Sequence, residues 1–551
     1  MRKYRYLIVI LFLALAWQGY NIYHSTTENF VRLPDDSYYY YEIGRNIAQG
    51  LGSTFDGENP TNGYHPLWMG ITVATYYLVP NDPVLPIIIL RFLEVLFFLA
   101  STVILWKILQ KITDKKWLTI GLLLFYALNL YNWRYITDGL ESSLALFLLS
   151  LFMLLLIKAL EQPGRLNLYF SLGAIAGLMT LARTDYGLFA AVAFIYLAIK
   201  QNDQRIKKIF LLGVPATILV SPWLLYNWLK FGAIVQGSGL AYTLINHDWF
   251  LSVPRNIIEI ILWSGYQFSL NVFRMLAYVG LPIPSNVTPL FALLEITIIV
   301  GILAALWLAI RRFRRQEWLE IRQSSVGKTL FIILAGLFLF VLVHGGVRWA
   351  TRPWYFISIP FLATVALALS LEKLCKITEW PRKTISTLIA ITIIILGINA
   401  IYYDGKDSNF YRNVFRDEPK ETLKYQMSQW INDNLPEDAR IASFNSGVLG
   451  YYSHSFVMNS DGLVNNAAYE AMKEKNLWKF FQEQNIEYIA DSEAVVTDAR
   501  VIWLGIKNPL QHLSKAQVFY NPQGRALNHV YKIEYYDPYE LRPRHTTDLN
   551  N

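Results

Sequence analysis

Residues 86–106 read PIIILRFLEVLFFLASTVILW. Only Arg91 and Glu94 are ionisable in that run, and it matches the ~20 residues a helix needs to cross a bilayer core. The two charges stand three residues apart, so they share a helix face and can neutralise each other, as a structural pair or as one wall of a polar cavity. Outward from this block the pattern repeats. Apolar runs at 7–23, 117–133, 141–160, 168–183, 186–200, 209–229, 290–310, 329–347, 354–371 and 384–401 bring the expectation to about 11 spans. Of the 551 residues 54% are hydrophobic and 16% charged, against about 25% charged in soluble domains. That excludes a string of water-soluble domains. Seventeen Trp and 35 Tyr suit aromatic belts at two membrane interfaces. The single cysteine, Cys375, excludes an intrachain disulfide.

Basic residues set the orientation. Lys107, Lys111, Lys115 and Lys116 form one cluster, and Lys200, Arg205, Lys207 and Lys208 a second. Arg311, Arg312, Arg314 and Arg315 form a third; Lys373, Lys376, Arg382 and Lys383 form the last. All fall on alternate loops on the side of the N-terminus, which is therefore expected to be cytoplasmic. The net charge of +8 is then a topology signal, not a nucleic-acid patch. Ala14-Leu15-Ala16 resembles a cleavage site, but with many spans behind it the first block is expected to remain as a helix. The expected location is the cytoplasmic (inner) membrane, multi-pass, with the C-terminal domain outside.

Three outside segments are large. Loop 24–64 leads into 66–79, too short to span and read as re-entrant or interfacial. Segment 230–289 is broken by Pro254, Pro282 and Pro284 and reads as interfacial helices. The tail 402–551 is polar and domain-sized. The expected organisation is a helical polytopic membrane domain, 1–401, followed by a small extracytoplasmic α/β domain, 402–551. In the tail, strands are expected at 440–444, 455–458 and 486–490 and a helix at 467–484. Its glycines make no dinucleotide fingerprint, so no such cofactor is expected.

Leu33-Pro34-Asp35-Asp36-Ser37-Tyr38-Tyr39-Tyr40-Tyr41 lies just outside the first span. Adjacent carboxylates repel, which raises one pKa unless a cation sits between them. Such a pair suits a general base acting on a hydroxyl, or two ligands of a divalent cation such as Mg, Mn or Ca. It equally suits an N-cap for a helix starting at Ser37, and the two roles are compatible. Asp138 and Glu141, at an outer helix end, are either site residues or solvated interfacial charges. Asp185 is either a site residue or the ion-pair partner of Arg183. His65 is a ligand, a donor to a sugar hydroxyl, or a structural histidine. No second His or Cys stands at metal-ligand spacing, so a zinc site is not supported.

The loop continues through Glu42-Ile43-Gly44-Arg45-Asn46 to Asn59-Pro60-Thr61-Asn62-Gly63-Tyr64-His65-Pro66-Leu67-Trp68. This resembles the first outside loop of the GT-C glycosyltransferases, membrane enzymes that use polyprenyl-phosphate sugars, in particular arabinofuranosyltransferase-like and mannosyltransferase-like bacterial members. Thr137-Asp138-Gly139-Leu140-Glu141 resembles their second outside motif, Leu181-Ala182-Arg183-Thr184-Asp185 the third, and 227–232 the loop after helix seven. Asp461-Gly462-Leu463-Val464-Asn465 is similar to a stretch in the tails of such proteins. The resemblance implies inverting transfer from a lipid-linked donor to an acceptor hydroxyl on a glycan, lipid or protein, with Asp35 or Asp36 as base. Tyr39, His65, Asp138, Glu141 and Asp185 are the candidate substrate-binding residues. Arg183, Arg348 and Arg352 are candidates to meet the leaving phosphate, or ordinary interfacial anchors.

A transporter or flippase of lipid-linked sugars is the alternative. It would concentrate ionisable groups at mid-membrane on broken helices, whereas the acidic motifs here cluster at outer helix ends. A polymerase or ligase would lean on a large Arg- and His-rich outside loop, and a scaffold would leave the acidic motifs idle.

Overall fold

The computed structural model describes residues 4–27, 33–80, 82–129, 132, 135–200, 203–249, 257–277, 315–346, 352–377, 420–497, 501–520 and 526–535. The spans expected at 290–310 and 384–401, and Arg348, lie outside the described residues. The chain divides into two compact units.

The first unit comprises Met1–Ser37, His65–Val235 and Ser252–Glu418. Among its described residues six helices are long and apolar enough to cross a membrane: Arg5–Tyr23, Leu85–Ile112, Ser142–Glu161, Arg205–Phe231, Ser325–Gly345 and Pro353–Cys375. Shorter apolar helices are Lys116–Ala127, Leu166–Ala182 and Ile257–Tyr266. This is a membrane protein. Each helix keeps its backbone bonds internal, which hydrocarbon demands. Asp82 starts the longest helix by accepting from the Val84 and Leu85 amides at 2.7 and 2.8 Å, and Pro86 fits its first turn, where no N–H is needed.

One end of these helices is tied by ion pairs from the basic loops. Lys111 grips Glu161 at 2.7 Å, with Ser325 donating to the same carboxylate at 2.9 Å. Thr113 and Lys115 both donate to Glu372, at 2.6 and 2.8 Å. The Lys111–Glu161 pair, about a third exposed, contributes ~0–1 kcal/mol. The motif residues lie at the other end, where Leu85–Ile112 and Ser142–Glu161 begin and Leu166–Ala182 finishes.

The second unit comprises Tyr38–Tyr64, Gln236–Leu251 and Pro419–Asn551. It takes in two stretches that composition alone assigns to the membrane part. Its sheet runs β1 Arg440–Ser443, β2 Phe456–Asn459, β3 Tyr488–Ser492, β4 Leu513–Tyr520 and β5 Ala526–Ile533, in spatial order β2-β1-β3-β5-β4. β1 is parallel to β2 and β3; β5 is antiparallel to β3 and β4. Side chains alternate across it, as strand geometry requires. Ile441, Val457, Tyr488 and Val530 pack under the helix Lys420–Asn434, with Met427 and Ile431. Their neighbours Ala442, Met458, Ile489 and Tyr531 pack on the other face with Ala468, Met472 and Phe481.

The three expected strands form, but the single helix expected at 467–484 is two, Asn466–Lys473 and Leu477–Glu483. The break is at Lys475, whose φ of 57° is left-handed. Asn62 joins the unit's three stretches: its Oδ1 accepts from the Gly237 amide at 2.9 Å and from Asn466 Nδ2 at 3.0 Å. Beside it, a Cβ on Gly63 would lie 1.9 Å from the Leu463 carbonyl oxygen, so only glycine allows this approach.

Candidate active site

The segment Thr137-Asp138-Gly139-Leu140-Glu141 is the centre of the site in the first unit. Arg91 donates from Nε to the Thr137 carbonyl at 2.8 Å. Glu94 accepts from the Gly139 amide at 3.0 Å. The two charges of the span at 85–112 thus act as holders of this turn. Trp68, fully buried, donates from Nε1 to the Gly139 carbonyl at 3.2 Å. Gly139 has φ +84°, a conformation that a Cβ disfavours. Ser37 donates to the Asp138 carbonyl. That bond brings the turn carrying Asp35 and Asp36 onto the 137–141 segment. Both aspartates lie in the first turn of the helix Asp35–Ala48, part-exposed. The helix starts at Asp35, not at Ser37, so neither aspartate is its N-cap, although both charges favour its N-terminal end; the base reading is compatible with this position.

Asp138 and Glu141 are each only 4% exposed, so the solvated-interface reading fails for both. Burial pushes the Asp138 carboxyl well above the usual range; its Oδ1 accepts from the Leu140 amide at 3.2 Å, while Oδ2 has no partner among the described residues. Glu141 accepts from Arg183 NH1 at 2.8 Å. The Leu166–Ala182 helix ends just before Arg183, which leaves in extended backbone at φ −149°. The short turn Thr184–Tyr186 then brings Asp185 back against it. Arg183 forks onto Asp185, Nε to Oδ1 at 3.1 Å and NH2 to Oδ2 at 2.7 Å. Burial works to raise the Asp185 carboxyl, but the Arg183 guanidinium and the His344 hydrogen bond outweigh it and hold it far below the carboxylate range.

Two further groups close the network. His344 Nε2 lies 3.1 Å from Asp185 Oδ2, and Arg183 lies over the Tyr355 ring at 4.5 Å. Neither His344 nor Tyr355 was picked out from the sequence; a histidine in an apolar span was the available signal. His65, held extended ahead of Pro66, stands at the edge. Its Nδ1 is 3.4 Å from Thr184 and its Nε2 3.7 Å from Glu141. Burial lowers its pKa, the Glu141 charge opposes that and Arg183 adds to it.

The remaining candidates make other contacts. Arg352 is exposed, 5.8 Å from the Trp354 ring. Tyr39 belongs to the second unit, edge-on to Phe55 at 5.4 Å and accepting from Asn459 at 3.5 Å. Among the described residues no three His, Cys, Asp or Glu side chains are placed to hold a metal ion.

Residues 85–226 match the family described as dolichyl-phosphate-mannose-protein mannosyltransferase. Residues 411–539 match a domain of unknown function, DUF8728. No characterised protein matches the chain by sequence. Among solved structures, the oligosaccharyltransferase of Archaeoglobus fulgidus, crystallised with zinc and sulfate, is similar over 95% of this chain and 72% of its own, at 13% identity and TM-score 0.55. ArnT from Cupriavidus metallidurans, bound to undecaprenyl phosphate, is similar over 96% of this chain and 98% of its own, at 13% identity and TM-score 0.53. The chain therefore has the GT-C fold.

Proposed function

We propose that this chain is a glycosyltransferase that moves a sugar from a polyprenyl-phosphate carrier to an acceptor hydroxyl at the outer face of the cytoplasmic membrane. The observation that carries the reading is the buried Glu141–Arg183–Asp185 network with an acidic pair tied beside it through Ser37. A fixed ionic frame next to a part-exposed carboxylate pair is what base catalysis on a hydroxyl requires. The GT-C fold, shared with an enzyme solved with undecaprenyl phosphate, supports a lipid-linked donor.

In the proposed reaction the acceptor O–H gives its proton to Asp35 or Asp36 as its oxygen attacks the anomeric carbon. The carbon–oxygen bond to phosphate breaks with its electron pair going to the phosphate, and the sugar configuration inverts. The part-exposed Asp35 and Asp36, not the buried Asp138, are positioned for that proton. Arg183 holds two carboxylates and acts as a positioning residue. Arg352, exposed just before Pro353–Phe356, is the residue proposed to meet the leaving phosphate.

The test is mass spectrometry of polyprenyl-phosphate sugars in cells lacking the gene. One lipid-linked sugar should accumulate and be cleared by the wild-type gene. An unchanged lipid-linked sugar pool would favour the transporter or scaffold readings.

A further inference from the structure

We propose that His344 is a positioning residue for the glycosyl transfer: its ring holds Asp185 where Arg183 can fork onto it and still reach Glu141. This rests on the glycosyltransferase reading above. Two carboxylates and one guanidinium, with Glu141 and Arg183 buried and Asp185 mostly so, leave an excess of negative charge that little water reaches. Such a cluster persists only if neutral donors satisfy the remaining oxygens. His344 is that donor for Asp185, at 3.1 Å and with 1% exposure. Its ring is wedged 4.2 Å from Phe340 and 5.5 Å from Tyr355, and Arg183 lies over the same Tyr355 ring. The donor therefore has a fixed direction.

The consequence runs outward. Asp185 Oδ2 takes both His344 and Arg183 NH2. Without the histidine, Asp185 draws harder on Arg183, and NH1 loosens from Glu141. Glu141 is the carboxylate that faces His65 at the part-exposed edge of the network. A plain packing residue would be expected to be apolar here, because residues 330–343 ahead of it in the span are all apolar and ionisable groups in spans are costly.

The test compares His344→Gln, whose amide can still donate to Asp185, with His344→Phe and His344→Ala. The substrates are the lipid-linked sugar extracted from cells lacking the gene and, as acceptor, an envelope glycan, lipid and protein extract of the same cells, presented to the purified full chain in proteoliposomes. Phe and Ala should lower kcat by about 10- to 100-fold, the value of a hydrogen bond to a charged group, with donor KM little changed. Gln should restore most of the rate. Asp185 is faced by Arg183, His344, Glu141, Tyr186 and His65; losing one donor lets its proton bind at higher pH, so the acid limb of the rate profile should move upward in Phe and Ala but not in Gln. Thermal unfolding against pH in detergent reports the same shift without substrate and identifies any variant that has not folded. Equal rates and equal acid limbs in all three variants, or a folded Gln variant no better than Ala, overturn the proposal. A wild-type chain that consumes no lipid-linked sugar rejects the glycosyltransferase reading, and this role with it.

Discussion

Ser37 donates its hydroxyl to the backbone carbonyl of Asp138, 101 residues further along the chain. This bond places Asp35 and Asp36 beside a turn that Arg91, Glu94 and Trp68 already hold rigid. The acidic pair is thus hung on a buried frame, although its own helix is at the start of a long loop. Ser37→Ala should leave the fold intact and lower the transfer rate by about tenfold, the value of one positioning hydrogen bond. Transfer assays with circular dichroism as a control would measure this.

For transfer, Arg183→Lys should be nearly as damaging as Arg183→Met. Lysine offers a point charge where the site uses a planar fork on Asp185 plus a third donor to Glu141. Removing the cation altogether leaves two buried carboxylates facing each other, a cost of about 3–5 kcal/mol. Thermal unfolding of both variants in detergent would show a large drop for Met and a smaller one for Lys, with transfer lost in both.

The pH dependence of stability has two parts. Asp138 has a raised carboxyl, so the stability it contributes is complete below the ordinary Asp value of about 4 and is lost as pH rises through its folded value. Asp185 has a depressed one, so its contribution is present above about 4 and is lost only as pH falls through its lower folded value. Asp138→Asn keeps the acceptor for the Leu140 amide and should flatten the alkaline decline of the unfolding temperature. An unchanged decline would assign it to another group.

Asn62 and Gly63 join the stretches of the second unit. Asn62→Ala removes the acceptor shared by Gly237 and Asn466, and should cost about 1–3 kcal/mol through unsatisfied buried partners. Gly63→Ala forces a carbon against the Leu463 carbonyl and should loosen the same junction. Faster hydrogen exchange at 236–251 and 460–470 in both variants would show it.

Much of this was legible in the sequence because lipid imposes simple rules. The apolar runs at 86–106 and 141–160 became the helices Leu85–Ile112 and Ser142–Glu161, and the Arg183–Asp185 pair was one of two readings offered. The rest depended on contacts at long range. No local pattern announces that Glu94 reaches the Gly139 amide, that Asp138 is buried, or that His344 meets Asp185 across 159 residues. The assignment of 38–64 and 236–251 to the second unit was equally hidden, because both lie between apolar stretches and are tied to the tail through single side chains such as Asn62. The β4–β5 hairpin was missed for another reason: Leu513–Tyr520 carries Ser514, Lys515 and Gln517, a half-exposed strand without a clean apolar alternation.

The most direct test of the central claim is release of free polyprenyl phosphate in proteoliposomes holding the purified chain, the lipid-linked sugar from cells lacking the gene and an envelope extract of the same cells as acceptor, for wild type, Asp35→Asn and Asp36→Asn. The account predicts that wild type releases polyprenyl phosphate in step with acceptor glycosylation. It also predicts that one of the two variants, still folded, is slower by about 10²–10⁴-fold, the range for loss of a general base. Both variants turning over at the wild-type rate would contradict it.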